Sequence, residues 1–515
     1  MTIVDIITRN AKKFPKQEAI CEIIDEKSQN SKYITWIEFE KISNQIANYL
    51  IENGIVKGSK IAIVLPNCLE WLPIFFGILK TGAIAVPINH HMMVRDILYC
   101  LELSECTGIV FSDFINASEI FENLSFKVSI NIGPNNSLKN SINYYKILEK
   151  YSSDFKSNIT PNDFATIHFS SGTTGFPKAI LHKHYSYIFS GIIESFNHYL
   201  SVSDSFLCLA PLFHAGVKMH WLGHLLNSNK LVILNDISPT KIISAISNNA
   251  ISVVWIPVPL AQNILAMVKE KNLVLSDFDL TNWRLVHMGS QPIAPSLIST
   301  WKTIFPNMAF DISYGLTEAA GPGCINLGSE NIEKMNSIGK SSIFWESRIV
   351  NENFQDMPAF ITGELIVKGP GVMDSYYKDR IATNTKIKDG WLFTGDIGYK
   401  DEQDFVYLVS RKNDIIISGG INIYPIQIEN YIKKHPSVKD VAIIGIEDLY
   451  YGEVVVAVIE LNDKGCTSKD LRTYCKRLPF YEQPKKYIFA SIPKNQVGKT
   501  DKRKLKELYK KGEIK

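Results

Sequence analysis

The stretch HFSSGTTGFPK, residues 168–178, places four hydroxyl side chains, two glycines and a lysine in one short segment. Gly172 and Gly175 can adopt positive φ angles, which lets backbone N–H groups approach an anion closely. Hydroxyl groups can donate hydrogen bonds to phosphate oxygens, and the lysine adds a positive charge. The segment therefore predicts a polyphosphate-binding loop formed by Ser170, Ser171, Gly172, Thr173, Thr174, Gly175 and Lys178.

Two other interpretations of this loop were weighed. It does not match the Walker A pattern G-x-x-x-x-G-K-[ST]. The segment Gly498-Lys499-Thr500 does not match it either, because Pro493 occupies the position of the earlier glycine. An ordinary Ser/Thr/Gly turn is the alternative for residues 168–178. The remaining motifs of the chain weigh against that alternative.

The sequence on both sides of the loop alternates between helix and strand signals. Apolar residues recur at helical spacing over residues 35–53 and 70–80. Between and after these helices, short apolar runs bounded by turn residues predict buried strands. The runs cover residues 60–65, 83–88, 107–111, 205–209, 231–234 and 253–256. This alternation predicts an α/β fold with parallel sheets in a large N-terminal domain with several subdomains.

The character of the sequence changes towards the C-terminus. Residues 358–409 have short strands between Gly, Pro and Asp turns, which favours a small β subdomain. After Arg411 the signals predict a compact α+β domain in the order helix, strand, strand, helix, strand, helix. These elements are predicted over residues 425–434, 438–446, 453–461, 468–478, 486–492 and 502–511. We therefore predict two domains, residues 1–410 and 411–515.

The overall composition is that of a soluble globular protein. Of the 515 residues, 45% are hydrophobic and 21% charged, and the net charge of +3 gives no reason to expect nucleic-acid binding. The eight cysteines form no C-x-x-C pair, which favours reduced thiols over disulfides or a zinc site. No signal peptide or membrane span is predicted, and we expect a cytoplasmic protein. Residues 484–515 carry eleven Lys/Arg against three Asp/Glu, which we interpret as a solvated basic helix.

A second cluster of candidate functional residues lies in the segment DISYGLTE, residues 311–318. Tyr314 offers a ring on which a base can stack, and Gly315 permits close approach of a ligand. Thr317 and Glu318 carry hard oxygen ligands suited to Mg²⁺. A buried aromatic residue beside a turn is the alternative for this segment.

Further candidates lie in the C-terminal third of the chain. Asp396, in the segment TGD, could accept hydrogen bonds from ribose hydroxyls, although a turn aspartate is the alternative. Arg411 could hold ribose or phosphate, and Gly419-Gly420 is a flexible backbone site. A polar linker is the alternative for both. Lys499, next to Gly498, could equally be one surface lysine among many.

Histidines gave no metal signal in the sequence. His214 follows an apolar strand, where it could be a capping or core residue. His90, His91, His220 and His224 are interpreted as structural or surface residues, because no metal-ligand spacing with acidic partners is visible.

The order and wording of these motifs resemble the ANL superfamily of adenylate-forming enzymes, which includes acyl-CoA and aryl-CoA synthetases, nonribosomal adenylation domains and luciferases. The resemblance extends from about Thr35 to Lys504. It rests on residues 77–87, 170–178, 211–214, 314–318, 363–365, 369–373, 376–377, 394–396, 411 and 498–499.

The resemblance implies an AMP-forming acid–thiol ligase that uses ATP, Mg²⁺ and CoA. The loop at residues 170–178 would hold the β- and γ-phosphates. Gly289, Ser290, Gln291 and Asp311 would flank the adenine, on which Tyr314 would stack. Thr317 would contact the α-phosphate, Glu318 would bind Mg²⁺, and Asp396 and Arg411 would bind ribose. Lys499 would bridge the carboxylate and the α-phosphate.

By the same resemblance, the C-terminal domain is mobile and swings about Asn413, where Asp or Lys is usual, and Gly419 and Gly420 lie in the CoA-binding region. Two further departures are Ala179, where glycine is usual, and Glu447, where CoA ligases often have proline. The acid pocket would involve His214, Val217, Trp255, Gly315 and the segment from Gly289. Its apolar character indicates an apolar acid, fatty or aryl/alicyclic.

Three hypotheses remain open from the sequence. The first is a CoA ligase acting on a fatty or aryl/alicyclic carboxylic acid, as a monomer or homodimer. The second is an acyl-adenylate ligase that loads the phosphopantetheine arm of a carrier protein. The third, a non-catalytic nucleotide-binding relative, is disfavoured by the presence of Lys178, Glu318, Asp396 and Lys499.

Overall fold

A computed structural model describes residues 1–25, 30–113, 117–133, 141–170, 177–289, 293, 295–328, 332–419, 421–462, 465–494 and 499–514. Eight predicted site residues lie outside these ranges: Ser171, Gly172, Thr173, Thr174, Gly175, Ser290, Gln291 and Gly420. The described chain divides into two units, each of which is described by itself. The first contains residues 1–335, 339–347 and 367–392, and the second residues 336–338, 348–366 and 393–515.

The strands are, in chain order, β1 (Glu18–Asp25), β2 (Asn30–Thr35), β3 (Lys60–Val64), β4 (Ile84–Pro87), β5 (Gly108–Phe111), β6 (Val128–Asn131), β7 (Ile142–Asn143), β8 (Phe164–Ser170), β9 (Lys178–Lys183), β10 (Ser205–Cys208), β11 (Lys230–Leu234), β12 (Val253–Pro257), β13 (Leu285–Gly289), β14 (Ala309–Leu316), β15 (Gly321–Leu327), β16 (Lys340–Ser341), β17 (Glu346–Val350), β18 (Gly363–Lys368), β19 (Ser375–Tyr376), β20 (Ile387–Lys388), β21 (Trp391–Lys400), β22 (Val406–Arg411), β23 (Ile416–Ser418), β24 (Ile421–Ile423), β25 (Val438–Asp448), β26 (Gly452–Leu461) and β27 (Lys486–Phe489).

The α-helices are α1 (Val4–Lys13), α2 (Trp36–Glu52), α3 (Trp71–Lys80), α4 (Val94–Ser104), α5 (Ala117–Asn123), α6 (Tyr144–Lys150), α7 (His184–Asn197), α8 (Ala215–Leu226), α9 (Pro239–Asn248), α10 (Val258–Lys269), α11 (Pro295–Ile304), α12 (Arg380–Lys386), α13 (Pro425–Ile432), α14 (Ser468–Cys475) and α15 (Lys502–Lys510). None of the described helices combines the length and apolar character needed to cross a membrane.

A nine-stranded sheet forms one half of the first unit, in the order β16-β15-β14-β13-β12-β10-β11-β1-β2. Its central strands are parallel, and antiparallel strands close both edges. In a parallel sheet the carboxyl ends of the strands meet at one edge, where such folds bind ligands. Strands β12, β13 and β14 thus bring Trp255, Gly289 and Tyr314 to neighbouring positions.

An eight-stranded sheet forms the other half of the first unit, in the order β19-β9-β8-β4-β3-β5-β6-β7. Its strands from β8 to β7 are parallel. Strand β9 folds back antiparallel on β8, and β19 then pairs with β9. The short strand β19 therefore adds residues from far along the chain to the edge next to the phosphate loop.

Apolar helices pack between the two sheets. Trp71 and Phe75 of α3 and Trp221 of α8 are fully buried in one core with residues of both sheets. Every residue of α3 is buried, which explains why its sequence is apolar on all faces. Helix α2 begins at a capping box in which Thr35 and Glu38 bond each other's backbone N–H groups.

The second unit contains two sheets. Strands β18, β21 and β22 are neighbours in one sheet, and β21 pairs antiparallel with β22. The other sheet has the order β24-β23-β26-β25, with β27 parallel to β26. Helices α13 and α14 contribute to the core on one face of this sheet, and α15 to the core on the other face.

The predicted fold class is confirmed, with a large α/β N-terminal part and a small α+β C-terminal part. One detail refines the sequence-based expectation. The segment around Gly419, for which a polar linker is the alternative, contains the antiparallel pair of β23 and β24.

Candidate active site

The predicted phosphate loop lies between the ends of two paired strands. Ser170 ends β8, Lys178 begins β9, and the two residues are partners in the antiparallel register. The five predicted residues between them lie outside the described residues. The pairing of β8 with β9 therefore places the hydroxyl residue Ser170 next to the cationic residue Lys178, at the two ends of the predicted loop.

Tyr376 brings two predicted site residues together. Its hydroxyl donates a hydrogen bond to Oε1 of Glu318 at 2.9 Å. The ammonium group of Lys178 lies over the same ring, 4.7 Å from its centroid. Burial and the nearby Glu318 carboxylate raise the pKa of Tyr376, so its hydroxyl stays protonated and can donate. The phosphate-loop lysine and the predicted Mg²⁺ ligand are thus adjacent, although their sequence positions are far apart.

Contacts to backbone atoms fix the turn that carries Glu318, a 3₁₀ turn at Thr317–Ala319. Nε2 of His182 lies 2.8 Å from the carbonyl oxygen of Thr317. Burial lowers the pKa of His182 to about 4, so the neutral ring donates this hydrogen bond. Met373 donates its backbone N–H to the carbonyl oxygen of Glu318 at 2.8 Å.

The glycine-rich motif at residues 369–373 packs directly against this turn. A Cβ at Gly371 would overlap the carbonyl oxygen of Ala319, and a Cβ at Gly369 would overlap the ring of Trp345. Only glycine permits this close approach. The motif therefore acts as a clamp on the segment that carries Thr317 and Glu318.

The predicted adenine site lies on β13 and β14. Tyr314 is nearly buried, whereas Gly315 is exposed. Gly289 ends β13, and the next two predicted residues lie outside the described ranges. Asp311, predicted to flank the adenine, is fully buried, and its carboxylate contacts two histidine rings instead of an open surface.

In the second unit, Asp396 and Arg411 face each other across β21 and β22. They are register partners, and Nε of the arginine lies 3.3 Å from Oδ1 of the aspartate. Burial lowers the pKa of Lys499, and the positive charge of Arg411 lowers it further, while the carboxylate of Asp396 raises it. The two predicted ribose ligands and the predicted bridging lysine are therefore electrostatic neighbours.

The turn before Asp396 depends on glycine and on Glu364. Gly395 has a φ of 81°, a conformation that other residues rarely adopt, and its N–H donates to Oε1 of Glu364 at 3.1 Å. Oε2 of the same glutamate pairs with Lys412 at 3.0 Å. Glu364 thus links the turn before Asp396 to the segment that leads to Asn413.

The predicted hinge and CoA-binding glycines follow in the same unit. Asn413 is exposed within a 3₁₀ turn at Lys412–Asp414. Gly419 has a φ of 57°, and its N–H donates to the carbonyl oxygen of Tyr451 at 2.8 Å. Gly420 lies outside the described residues.

The predicted acid-pocket residues lie on α8 and on the neighbouring strands. His214 caps α8, and its Nδ1 accepts the N–H of Gly216 at 3.1 Å. Val217 is fully buried, and Trp255 is 9% exposed. A Cβ on Gly289 would lie 3.6 Å from Nε1 of Trp255, so this glycine and tryptophan face the same small space.

A buried polar cluster was missed by the sequence analysis. It consists of Glu194, His198, His220, His287 and Asp311, all less than 2% exposed. Burial alone would raise the pKa of Glu194, but the surrounding imidazoles lower it well below its usual range. Asp311 behaves in the same way, so both carboxylates are ionised. His220 and Glu194 are 26 residues apart, and so spacing alone could not reveal the pair.

The chain belongs to the AMP-binding enzymes. Residues 7–377 match that family, and residues 427–499 match the AMP-binding enzyme C-terminal domain. These matches confirm the predicted membership of the adenylate-forming superfamily.

Named relatives cover almost the whole chain. The long-chain-fatty-acid–CoA ligase FadD13 of Mycobacterium tuberculosis is 27% identical, with 92% of this chain and 93% of the relative aligned. The 2-succinylbenzoate–CoA ligase of Bacillus cereus is 27% identical over 96% of each chain. Among solved structures, a Mycobacterium tuberculosis fatty acyl CoA synthetase is 26% identical, with a TM-score of 0.76 and 99% of both chains covered. The Bacillus subtilis O-succinylbenzoate coenzyme A synthetase in complex with AMP is 25% identical, with a TM-score of 0.85, covering 97% of this chain and 98% of that chain.

Proposed function

We propose that the protein activates a carboxylic acid with ATP and transfers the acyl group to the thiol of CoA. The observation that carries the proposal is the convergence of Lys178 and Glu318 on Tyr376, beside the strand ends of the phosphate loop. A fixed cation and a carboxylate suited to Mg²⁺ match the needs of bound ATP phosphates. The relatives, both CoA ligases, confirm the predicted enzyme class, an AMP-forming acid–thiol ligase.

The reaction has two half-reactions. First, a carboxylate oxygen of the acid bonds to the α-phosphorus of ATP, and pyrophosphate leaves with the electrons of the broken P–O bond. Then the sulfur of CoA bonds to the acyl carbon, AMP leaves, and the thiol loses its proton. Both steps bring anions together, so the placement of donors and cations dominates the chemistry.

The residues of the first unit bind the nucleotide in this proposal. Lys178 contacts the β- and γ-phosphates, Thr317 the α-phosphate, and Tyr314 stacks on the adenine. Glu318 holds Mg²⁺, which offsets phosphate charge when it is bound. The hydrogen bond from Tyr376 and the glycine clamp hold Glu318 in one position, so the carboxylate loses little freedom on binding.

The second unit supplies three further residues in this proposal. Asp396 and Arg411 bind ribose, and Lys499 contacts the acid carboxylate and the α-phosphate during the first half-reaction. We place the domain boundary between residues 410 and 411, with Asn413 as the hinge of the mobile domain.

Five ion pairs between basic and acidic side chains of the C-terminal region neutralise much of its lysine excess: Lys494–Asp440, Lys502–Glu429, Lys506–Glu453, Lys510–Glu447 and Lys439–Glu460.

The acid is apolar in this proposal, either a fatty acid or an aryl/alicyclic acid. The buried Val217 and the ring of Trp255 supply apolar surface where the pocket is expected. Both acid types occur in the names of the relatives, which are a long-chain-fatty-acid ligase and a 2-succinylbenzoate ligase.

Pyrophosphate release from ATP across a panel of carboxylic acids, each with and without CoA, tests the proposal. Sustained CoA-dependent turnover with an apolar acid, together with an acyl-CoA product, is expected. Absence of both pyrophosphate release and ATP–pyrophosphate exchange with every acid would overturn the proposal. A single stoichiometric burst that CoA cannot extend would overturn CoA as acceptor and indicate a carrier protein.

A matched pair of variants ties the activity to this site. Glu318→Gln should lose most of the activity, because the neutral amide is a poor Mg²⁺ ligand. Glu105→Gln should retain it, because Glu105 also accepts a hydrogen bond from a tyrosine, Tyr377, but lies on the surface. Equal losses in the two variants would contradict the role of Glu318.

A further inference from the structure

The buried polar cluster joins four elements of the first unit that are separate in sequence. Glu194 lies on α7, His220 on α8, His287 on β13 and Asp311 on β14. His198 caps the C-terminal end of α7. Burial of two carboxylates and three imidazoles in one place is costly unless their charges are balanced.

The hydrogen bond between His287 and Asp311 determines which nitrogen of the ring carries a proton. Nδ1 of His287 lies 3.0 Å from Oδ2 of Asp311 and donates a hydrogen bond to this carboxylate oxygen. A ring that carries its proton on Nδ1 presents the lone pair of Nε2 on its other edge. That nitrogen lies 3.2 Å from Oε1 of Glu194 and has no hydrogen-bond partner within the described part of the chain. Two lone pairs that face each other at this distance repel unless a cation lies between them.

The distances fit a metal ion between these atoms. Oε1 of Glu194 is 2.9 Å from Nδ1 of His220, a hydrogen bond that a bound ion would replace, and 3.2 Å from Nε2 of His287. The three atoms lie within 4.8 Å of one another. Tetrahedral Zn²⁺ with bonds of about 2.0–2.1 Å separates its ligand atoms by about 3.3 Å. The contact of His287 with Glu194 matches this separation and does not meet hydrogen-bond geometry.

The surroundings of the three atoms also resemble those of a metal site. A histidine that binds a metal usually donates its other ring N–H to a carboxylate, as His287 does to Asp311. The second carboxylate oxygen, Oε2 of Glu194, lies 3.2 Å from Nδ1 of His198, which hydrogen-bonds the backbone carbonyl oxygen of Glu194 at 3.1 Å. His198 lies between the two carboxylates, which raise its pKa to about 10, so its ring supplies one positive charge and a bound divalent cation more than offsets the negative charge that remains.

We propose that Glu194, His220 and His287 bind one divalent transition-metal ion, Zn²⁺ by the chemistry of the ligands, with Asp311 as the outer carboxylate. The site is structural: the ion ties α7 and α8 to the strands that carry Gly289 and Tyr314. It is separate from the Mg²⁺ that accompanies ATP at Glu318. Because the ligands are fully buried, the ion enters while the chain folds, and the loaded protein retains it.

The test measures metal content of the full-length, tag-free protein, purified without ATP from cells grown with added Zn²⁺. About one zinc per chain is expected by mass spectrometry. Protein from cells grown with Co²⁺ in place of Zn²⁺ should show the visible absorption of a tetrahedral Co²⁺ site. Wild-type protein that contains no zinc and shows no Co²⁺ absorption would overturn the proposal, whatever the variants do.

Variants locate the ion within the cluster. Glu194→Gln and His287→Gln should each reduce the zinc content at least tenfold. His224→Gln is the matched control, because His224 is equally buried on the same helix but bonds Asn229 and lies outside the three ligands. This control should retain one zinc per chain. If Glu194→Gln folds and binds as much zinc as the wild type, the ion lies elsewhere and the assignment is wrong.

Discussion

Tyr376 donates a hydrogen bond of 2.9 Å to the carboxylate of Glu318, and the ring of the same tyrosine lies under the ammonium group of Lys178. One side chain therefore sets the spacing between a predicted metal ligand and a predicted phosphate ligand. The pairing of β19 with β9 places Tyr376 there, since Tyr376 is the register partner of Ile180. Tyr376 therefore orients the carboxylate of Glu318 through a hydrogen bond and adds no charge of its own to the site.

We expect Tyr376→Phe to weaken the use of ATP while leaving the fold intact. The variant keeps the ring beneath Lys178 and removes only the hydroxyl that orients Glu318. A hydrogen bond to a charged group contributes about 1.5–3 kcal/mol, which corresponds to a change of about ten- to hundredfold. The loss should occur in kcat/KM for ATP and should be partly offset by excess Mg²⁺. Pyrophosphate release over a matrix of ATP and Mg²⁺ concentrations measures it.

The neighbouring tyrosine supplies the control for this experiment. Tyr377 donates to Oε2 of Glu105 at 2.7 Å on the exposed surface. Tyr377→Phe therefore removes an equivalent hydrogen bond away from the site and should leave ATP kinetics unchanged. If Tyr376→Phe also leaves them unchanged, Glu318 is positioned by other contacts.

Lys499→Ala should separate the two half-reactions. Removal of one positioned donor typically lowers the rate of a charge-building step by about a hundred- to a thousandfold. We expect acyl-adenylate formation to fall by at least this factor, because Lys499 is placed near Arg411 and Asp396 in the same unit. Transfer of the acyl group from a supplied acyl-adenylate to CoA should remain. Rapid-quench assays of each half-reaction measure the two rates.

Lys510→Ala is the control for the C-terminal lysines. Lys510 is exposed and pairs with Glu447 on the surface, and so its loss changes the local charge without removing a contact to the segment that carries Lys499. Both half-reactions should keep their rates in this variant. Comparable losses in both half-reactions of Lys499→Ala would mean that the lysine supports the domain and does not act in the first step.

Lys218→Met should stabilise the protein. Lys218 is 1% exposed, and its ammonium group has no hydrogen-bond partner among the described residues. It lies 4.5 Å from the ring centroid of Phe75 and 5.0 Å from that of Trp221. Burial nevertheless lowers its pKa to about 7, so desolvation outweighs the attraction of the rings. Methionine keeps the length and removes the buried charge, for an expected gain of about 1–3 kcal/mol.

For a second buried lysine, Lys80, we expect the same substitution to lower the stability of the protein. Lys80 is 3% exposed, but its ammonium group contacts Glu40 and Asn44 at 2.6 Å each. Lys80→Met leaves the Glu40 carboxylate without its partner and should destabilise the protein by about 1–3 kcal/mol. Thermal unfolding midpoints of both variants measure the contrast. A lower midpoint in Lys218→Met would show that a buried partner stabilises its charge.

Much of the fold was predictable because buried strands appear in the sequence as short apolar runs bounded by turn residues. The run at residues 60–65 predicts a strand, and β3 covers Lys60–Val64. The order of elements after residue 425 was also predictable, because turn residues separate short periodic segments there. The family resemblance predicted that Lys178 and Glu318 both act on ATP. It did not predict that Tyr376 contacts both of them, because this contact depends on the pairing of β19 with β9, a strand that is far away in the sequence.

The buried polar cluster was not predictable from local patterns. Its histidines were interpreted as structural or surface residues, since no acidic partner lies at a ligand spacing. The parallel pairing of β13 and β14 places His287 beside Asp311, and the packing of α7 on α8 places His220 beside Glu194. Such contacts depend on strand register and helix packing, which a single sequence does not specify.

Gly289→Ala should change the choice of acid without changing the fold. Among the described residues, a Cβ at this position would meet only Nε1 of Trp255, at an ordinary contact distance of 3.6 Å, so the unfolding midpoint should stay the same. The added methyl narrows the space beside the tryptophan. A mismatch of about one methylene changes transition-state binding by about 1–3 kcal/mol, so kcat/KM for the bulkiest acids should fall about ten- to two-hundredfold. The smallest accepted acid is the internal control and should keep its rate, as should KM for ATP. An equal fall for every acid, with a raised KM for ATP, would assign Gly289 to the nucleotide and place the acid away from Trp255.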